Sequence, residues 1–302
     1  MNLTDPIYSD ENKAREHLEA IRWPNGPVCP HCGECENVGK LEGKSHRPGL
    51  NKCYSCSGHF TVTIGTVFER SKIPLNKWIY AAHVMASSKK GFSAHQLHRT
   101  IEVTYKTAWF MMHRLREAMD AMKPGPMGSG GGTVEADETF WGNNKRSKKA
   151  GGYTGRGYEH KMKVFSLVER GGEVRSFHVP AVNAATLKPI VQAQLAKDAH
   201  LMTDELVVYQ PIGKDFASHE VVKHSKLEFS RGNAHTNTVE GYFSILKRGL
   251  IGTYHHVGEQ HLKRYIAEFD FRYNTRASLG VDDKQRARML LKATEGKRLM
   301  YR

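Results

Sequence analysis

Thr133-Val134-Glu135-Ala136-Asp137-Glu138-Thr139-Phe140-Trp141 is the stretch on which the reading of this chain turns. Its composition predicts a strand. Alternation then puts Val134, Ala136 and Phe140 on one face and Glu135, Asp137 and Thr139 on the other. Asp137 therefore projects from the middle of a strand whose composition predicts burial. A carboxylate held there costs stability unless a cation or hydrogen bonds compensate. A solvated acid near a strand end reads the same way when taken alone, so the meaning of Asp137 depends on its surroundings.

Downstream, Lys163 to Glu169 and Val174 to Val179 predict two more strands, with Gly171-Gly172 as the hairpin turn between them. Asn183 is placed to cap a helix running to about Lys197, and Leu201 to Asp204 forms a short fourth strand. From Thr236 onward the pattern is helical. Three strands, a helix, a strand and then helices is the order of an RNase H-like α/β domain with a mixed sheet. The fourth strand again ends in an acid, Asp204, with Glu205 as its rival. A third acid, Glu240, lies in Asn237-Thr238-Val239-Glu240-Gly241-Tyr242-Phe243, where Val239, Phe243, Leu246 and Leu250 make an apolar helical stripe. Glu240, Ser244 and Lys247 line a different, polar face. A solvated helix face has the same appearance. Together, however, an acid in a first strand, one ending a fourth strand and one on a later helix can converge on two divalent ions roughly 3.5–4 Å apart.

Upstream, Lys123-Pro124-Gly125-Pro126-Met127-Gly128-Ser129-Gly130-Gly131-Gly132 reads as a flexible linker. Before it, residues 71–123 are helical. Leu75 to Ser87 is one helix; Ser93 caps a short one, Ile101-Glu102-Val103 is a turn, and Thr104 caps a longer helix through Met119. That longer helix carries Tyr105, Lys106, Trp109, His113, Arg114 and Arg116, and its N-terminal half suits a major groove. An ordinary helical hairpin fits the same pattern. Residues 1–70 hold all five cysteines. Cys29-Pro30-His31-Cys32-Gly33 and Cys53-Tyr54-Ser55-Cys56-Ser57-Gly58 form two Cys-x-x-Cys knuckles with the spacing of a zinc ribbon. Cys32 and Cys35 make a competing pair, and His31 is a spare ligand type. Four sulfur ligands leave no open position, so such a zinc is structural.

The chain has 302 residues, with 45 Lys and Arg against 31 Asp and Glu, a formal charge of +14. That excess attracts polyanions. No apolar run approaches the roughly 20 residues that span a bilayer, and Met1 to Pro6 has no signal-peptide character. The expectation is a soluble cytoplasmic protein that meets nucleic acid and no membrane. The basic run Lys145-Arg146-Ser147-Lys148-Lys149 reads as a loop that clamps phosphates or as a solvated insertion, and His255-His256 as surface or structural residues or as residues that approach DNA or metal.

Val134 to Thr139, Thr203-Asp204, His235 to Gly241 with Lys247-Arg248-Gly249-Leu250, Gly252-Thr253-Tyr254-His255-His256-Val257, and Arg272-Tyr273-Asn274 with Arg276, in this order and spacing, resemble bacterial insertion-sequence transposases. The resemblance is to the DDE-type branch with an N-terminal zinc ribbon, the ISXO-two-like branch, and Phe60 to Thr66 resembles its ribbon. It implies four parts: a zinc ribbon (1–70), a helix-turn-helix segment (71–123), a linker (124–132) and an RNase H-like catalytic domain (133–302). It implies structural zinc on Cys29, Cys32, Cys53 and Cys56. It further implies two catalytic Mg²⁺ ions, replaceable by Mn²⁺, on Asp137, Asp204 and Glu240, with Lys247 as the accompanying basic residue. Asn237, one turn before Glu240, is a helper or substitute for it. The implied partners are double-stranded DNA, as transposon ends and target, and a second copy of the chain during synapsis at the nucleoid. A resolvase of the same fold and a DNA-binding regulator with a relict catalytic domain are the rival readings.

Overall fold

The chain folds as two units in the computed structural model, Met1–Ala121 with Val281–Arg302, and Met122–Gly280. The structure describes residues 4–120, 125–142, 158 and 161–299. The basic run at 145–149 lies outside them.

In the first unit, helix α1 (Glu11–Arg22) is capped by Asp10, whose carboxylate accepts from the Asn12 and Lys13 amides. Strands β1 (Val38–Lys40), β2 (Asn51–Cys53) and β3 (His59–Phe60) form a small antiparallel sheet. Helix α2 (Leu75–Ser87) buries Leu75, Trp78, Ile79, Ala82 and Met85, the apolar spacing read from the sequence. Helices α3 (Ala94–Ile101) and α4 (Tyr105–Met119) start at the expected caps, Ser93 and Thr104, and Glu102 turns the chain between them in the left-handed region. In α4 Tyr105 and Lys106 are exposed, whereas His113, Arg114 and Arg116 are buried. Arg114 packs over Trp78 and Phe110 and donates to the Glu69 carbonyl at 2.8 Å. Those last three basic residues of α4 therefore serve the core.

The C-terminal helix Asp283–Lys292 groups with this first unit, whereas the sequence reading assigned everything from 133 to 302 to the catalytic domain. The reason is burial. Ala287, Leu290 and Leu291 are withdrawn from water, and Arg286 donates to the Ala86 carbonyl at the end of α2. Beyond the helix, Val67 N donates to Thr294 O and Gly296 N to Gly65 O. No local pattern in the sequence marks that return.

The second unit is built on a five-stranded sheet in the order β6-β5-β4-β7-β8. Its strands are β4 (Thr133–Trp141), β5 (Met162–Glu169), β6 (Val174–Val179), β7 (His200–Thr203) and β8 (Ser218–Val221). The first three pair antiparallel, and β7 and β8 run parallel to β4. This is the mixed sheet expected of an RNase H-like domain. Strand β8 was not anticipated, because all four of its residues are only partly buried and it lacks apolar alternation. Helices α5 (Ala184–Gln194) and α6 (Gln210–Gly213) lie on one face, with Val134, Ala136, Phe165, Leu167, Leu187 and Val191 in their shared core. Helices α7 (Asn237–Gly249) and α8 (Glu259–Asn274) cover the other face, their Val239, Phe243 and Phe269 sharing a core with Val164 and Val168 of the sheet. Helix α5 ends three residues before the expected Lys197, because Leu195 turns extended and bridges to Met127.

That bridge overturns the flexible-linker reading for residues 125–132. Met127 is buried, its N–H donates to Gln194 O at 2.7 Å, and its carbonyl accepts from Ala196 N. Gly128 has a φ of +73°, and a Cβ there would meet the Ala199 side chain at 2.6 Å. The glycines supply tight turns and close approach rather than slack.

Candidate functional site

Alternation along β4 decides which acid faces which helix. Val134 and Ala136 belong to the α5 side; Glu135, Asp137 and Thr139 consequently face α7. Glu138 points the other way and accepts from the buried Tyr209 hydroxyl at 2.6 Å. Parallel pairing sets Val134 opposite Leu201 and Glu135 opposite Met202. Continuing that register two residues, just past the end of β7, brings Asp204 alongside Asp137.

The third element is held by a residue that the sequence reading passed over. Glu135 is fully buried, and its carboxylate accepts from Thr238 N at 2.8 Å, Val239 N at 2.9 Å and Thr238 Oγ1 at 2.8 Å. These are free N–H groups of the first turn of α7, where the helix dipole also favours negative charge. Arg170, at the end of β5, donates to Glu135 at 2.7 Å. Its guanidinium also reaches Asn233 O, Asn233 Oδ1 and His235 O, and His235 Nδ1 lies 3.1 Å from Glu135. The pair thus clamps the chain entering α7, one turn before Glu240. The legible signal was a second acid two residues before Asp137, on the same face of a central strand. Removing one partner of a buried ion pair leaves the other charge uncompensated. Glu135→Ala should therefore lower unfolding stability in urea by about 3–5 kcal/mol, with Glu135→Gln losing distinctly less because its amide oxygen still accepts.

Asp137, Asp204 and Glu240 come close enough to feel one another's charge. Burial first, and then the like charges of Glu138, Asp204 and Glu240, push the Asp137 carboxyl up to about 8, against the hydrogen bond it accepts from Glu138 N at 2.7 Å. Burial likewise raises Asp204, aided by Glu205 and Glu240 and opposed by the Leu206 amide and His224. Glu240 accepts from Thr236 Oγ1 at 2.8 Å, and His224 Nε2 lies 3.5 Å away. His224 is a second residue missed from sequence; nothing distinguished it among 17 histidines. The rival acid Glu205 turns aside to accept from Ser225 N at 3.0 Å. Asn237 and Lys247 are exposed on α7, in its first and last turns. His255 and His256 are exposed beyond the π-helical turn Leu250–Tyr254. The raised carboxyls of Asp137 and Asp204 are favoured as anions by nearby cations. Their oxygen donors suit a hard divalent ion such as Mg²⁺.

The cysteines settle their own competition. The sulfurs of Cys29, Cys32, Cys53 and Cys56 all lie within 4.8 Å of one another, with Cys29 to Cys56 at 3.7 Å and Cys32 to Cys53 at 3.6 Å. Four sulfurs at a Zn–S distance of 2.3 Å in a tetrahedron stand about 3.8 Å apart, so the quartet fits one zinc ion. Cys35 is outside it; its N–H, with those of Glu36 and Asn37, donates to Glu34 Oε1 and braces the first knuckle.

Comparison with known proteins adds to this geometry. Residues 130–274 match the family described as an ISXO2-like transposase domain, and residues 9–59 match a transposase zinc-ribbon domain. A protein in the transposable element ISH50 of Halobacterium salinarum is 31% identical over 274 residues, covering 88% of this chain and 91% of that protein. The chain belongs to the ISXO2-like transposases. An uncharacterized transposase-like protein of Haemophilus influenzae is 26% identical over 114 residues, 38% of this chain and 83% of its own length. The Mos1 strand transfer complex crystal structure shows a slight likeness to this transposase, with 14% identity, a TM-score of 0.28 and coverage of 72% of this chain and 74% of that one. Among the described residues, no helix is long and apolar enough to cross a membrane.

Proposed function

We propose that this transposase binds the terminal inverted repeats of its element, cleaves DNA there and joins the freed end to target DNA, using Asp137, Asp204 and Glu240. The observation that carries the reading is that Asp204, at the end of β7, and Glu240, in the first turn of α7, lie near enough to Asp137 on β4 to help raise its carboxyl, with Glu135 fastening that turn.

Two Mg²⁺ ions, which Mn²⁺ can replace, would activate the attacking water and stabilise the leaving 3′ oxygen when bound. The protein's share is to present ionised carboxylate oxygens in a fixed frame. Asp137 lies on β4 and Asp204 just past the end of the neighbouring β7, and Glu240 is oriented by Thr236. Water attacks the phosphorus at the element's end and displaces a 3′-hydroxyl. That hydroxyl then attacks a target phosphodiester through the same acids, displacing the target's own 3′ oxygen. Lys247, exposed seven residues beyond Glu240, holds a DNA phosphate. The zinc ribbon and the exposed start of α4, with Tyr105 and Lys106, supply end binding, where phosphate contacts position and base contacts specify. The +14 charge supports DNA as the partner. Bringing two ends together calls for at least two copies of the chain.

The test is cleavage and joining of a labelled end from the flanking DNA with Mg²⁺, with EDTA, and with Asp204→Asn. A Mg²⁺-dependent joined product that disappears in the variant is the expected result. Hydrolysis without joining would replace this reading with a resolvase. Tight binding without chemistry in Mg²⁺ or Mn²⁺ would replace it with a DNA-binding regulator.

A further inference from the structure

Between β8 and α7 the chain makes a braced tip, residues 223–231, that stands against the candidate acids. Its frame is tightly bonded. Lys223 N donates to Glu228 Oε2 at 3.1 Å, Glu228 N to Lys223 O at 3.2 Å, Ser225 N to Glu205 at 3.0 Å and Arg231 Nη2 to Val221 O at 3.2 Å. Yet this ordered tip holds two large apolar side chains in water. Leu227 is 80% exposed and Phe229 58%. Leu227 also carries a left-handed backbone, φ 56° and ψ 25°, a conformation that costs a non-glycine residue and persists where the surroundings impose it. A strained, fully braced leucine beside an exposed phenylalanine is a presented surface rather than a slack loop.

The position of that surface points to what it meets. The Phe229 ring centroid is 5.6 Å from that of His224, whose Nε2 lies 3.5 Å from Glu240 and 3.4 Å from Thr236 Oγ1. Phe229 is thus one ring removed from the acids. Lys223, Lys226 and Arg231 of the same tip are exposed, Arg231 beside Glu228 at 3.5 Å, and Leu206 and Val207, just after Asp204, are exposed as well. A phosphodiester placed at the acids carries its flanking nucleotides over this rim. Cationic side chains there meet phosphates, and an exposed aromatic ring meets the π-face of a base. Apolar wedges pushed between base pairs are a recognised way to unstack them.

We propose that the 223–231 tip is a base-unstacking wedge. On this reading Phe229 stacks on a nucleobase next to the scissile phosphate after that base has left its pair, and Leu227 fills the space it vacates. The inference rests on the cleavage reading above and adds a substrate feature to it: DNA locally unpaired at the cut. Stacking one base on an aromatic side chain is lost about 5- to 150-fold on truncation, which sets the scale of the expected effect.

The test uses the full-length, zinc-loaded protein and end DNA carrying 2-aminopurine in turn at each position flanking the cut. Binding is read in Ca²⁺ and joining in Mg²⁺. The expected result is a fluorescence change on binding at one position, absent in Phe229→Ala and restored in Phe229→Trp. Joining by Phe229→Ala should fall about 5- to 150-fold on paired DNA and recover on DNA mismatched at that position. Wild-type joining without any 2-aminopurine response would overturn the wedge and leave the transposase reading intact. A Phe229-dependent response in a protein that neither cuts nor joins would support base binding and sink the cleavage chemistry instead. Loss of self-association in Phe229→Ala by sedimentation, with joining per assembled complex unchanged, would also overturn the wedge by making this face a contact between copies.

Discussion

Asp137→Asn is expected to abolish cleavage and joining while making the metal-free protein more stable at neutral pH. The two effects have one cause. In the folded chain burial and three neighbouring acids raise the Asp137 carboxyl to about 8 from an ordinary 3.8. Between those values the native state binds a proton that the unfolded state has released. Stability contributed by this group therefore falls as pH rises from about 4 to about 8. At pH 7 the cost is of the order of a few kcal/mol. Asparagine never ionises, so the variant's thermal midpoint should exceed the wild type's at pH 7, with the gap closing towards pH 4. Added Mg²⁺ should reverse the order, because the cations compensate wild-type Asp137 and have one donor fewer in the variant. Its binding should also release protons at pH 7. Joining should fall by at least about 10³-fold, roughly 4 kcal/mol of barrier. If the variant joins DNA within tenfold of wild type, Asp137 is not a catalytic ligand. If its midpoint is no higher at pH 7, the burial argument fails.

The second large effect concerns the other end of the chain. Cys53→Ser should reduce bound zinc from about one ion per chain to none and unfold the ribbon around β1 to β3. The ribbon has little else to hold it. Its strands are three, three and two residues long, and the buried apolar groups at hand are few, chiefly Phe60 and Val62 with Trp23 beside them. Structural zinc supplies about 10–16 kcal/mol of apparent binding free energy in zinc-finger peptides, as much as the about 5–15 kcal/mol that holds a whole domain together. Trp23 packs edge-on against Phe60 with ring centroids 5.7 Å apart, so its fluorescence should report the loss. Chelator treatment of the wild type should give the same change, reversed by added Zn²⁺. Cys35→Ser, outside the quartet, should retain full zinc. An unchanged zinc content in Cys53→Ser would remove the proposed ligand set.

The glutamate that fastens α7 and the acids it helps to gather illustrate a general division. Asp137, Asp204 and Glu240 were each readable as candidates, since an acid on a strand of buried composition or at a strand end is anomalous in its local pattern. Glu135 was readable only as a residue on the same face as Asp137. Its partners, Thr238 and Val239, lie 103 and 104 residues away, and no local pattern encodes which helix will deliver free N–H groups to a buried carboxylate. His224 likewise acquires meaning only from the Glu240 beside it.

What the sequence determined by itself was whatever contiguous residues control through their own backbone preferences and side chains. That includes β4 and β6 to the residue, the start of α3 at Ser93 and of α4 at Thr104, the hairpin at Gly171-Gly172 and the two cysteine knuckles. These depend on alternation, capping and turn chemistry acting over a few residues. Tertiary structure decided the remainder: the parallel register that sets Asp204 by Asp137, the seating of Met127 that makes ordered turns of a glycine-rich stretch, and the return of Asp283–Lys292 to the first unit. Each depends on burial against a distant partner, and the free energy of burying an apolar or charged group belongs to the surface that receives it as much as to the residue that is buried.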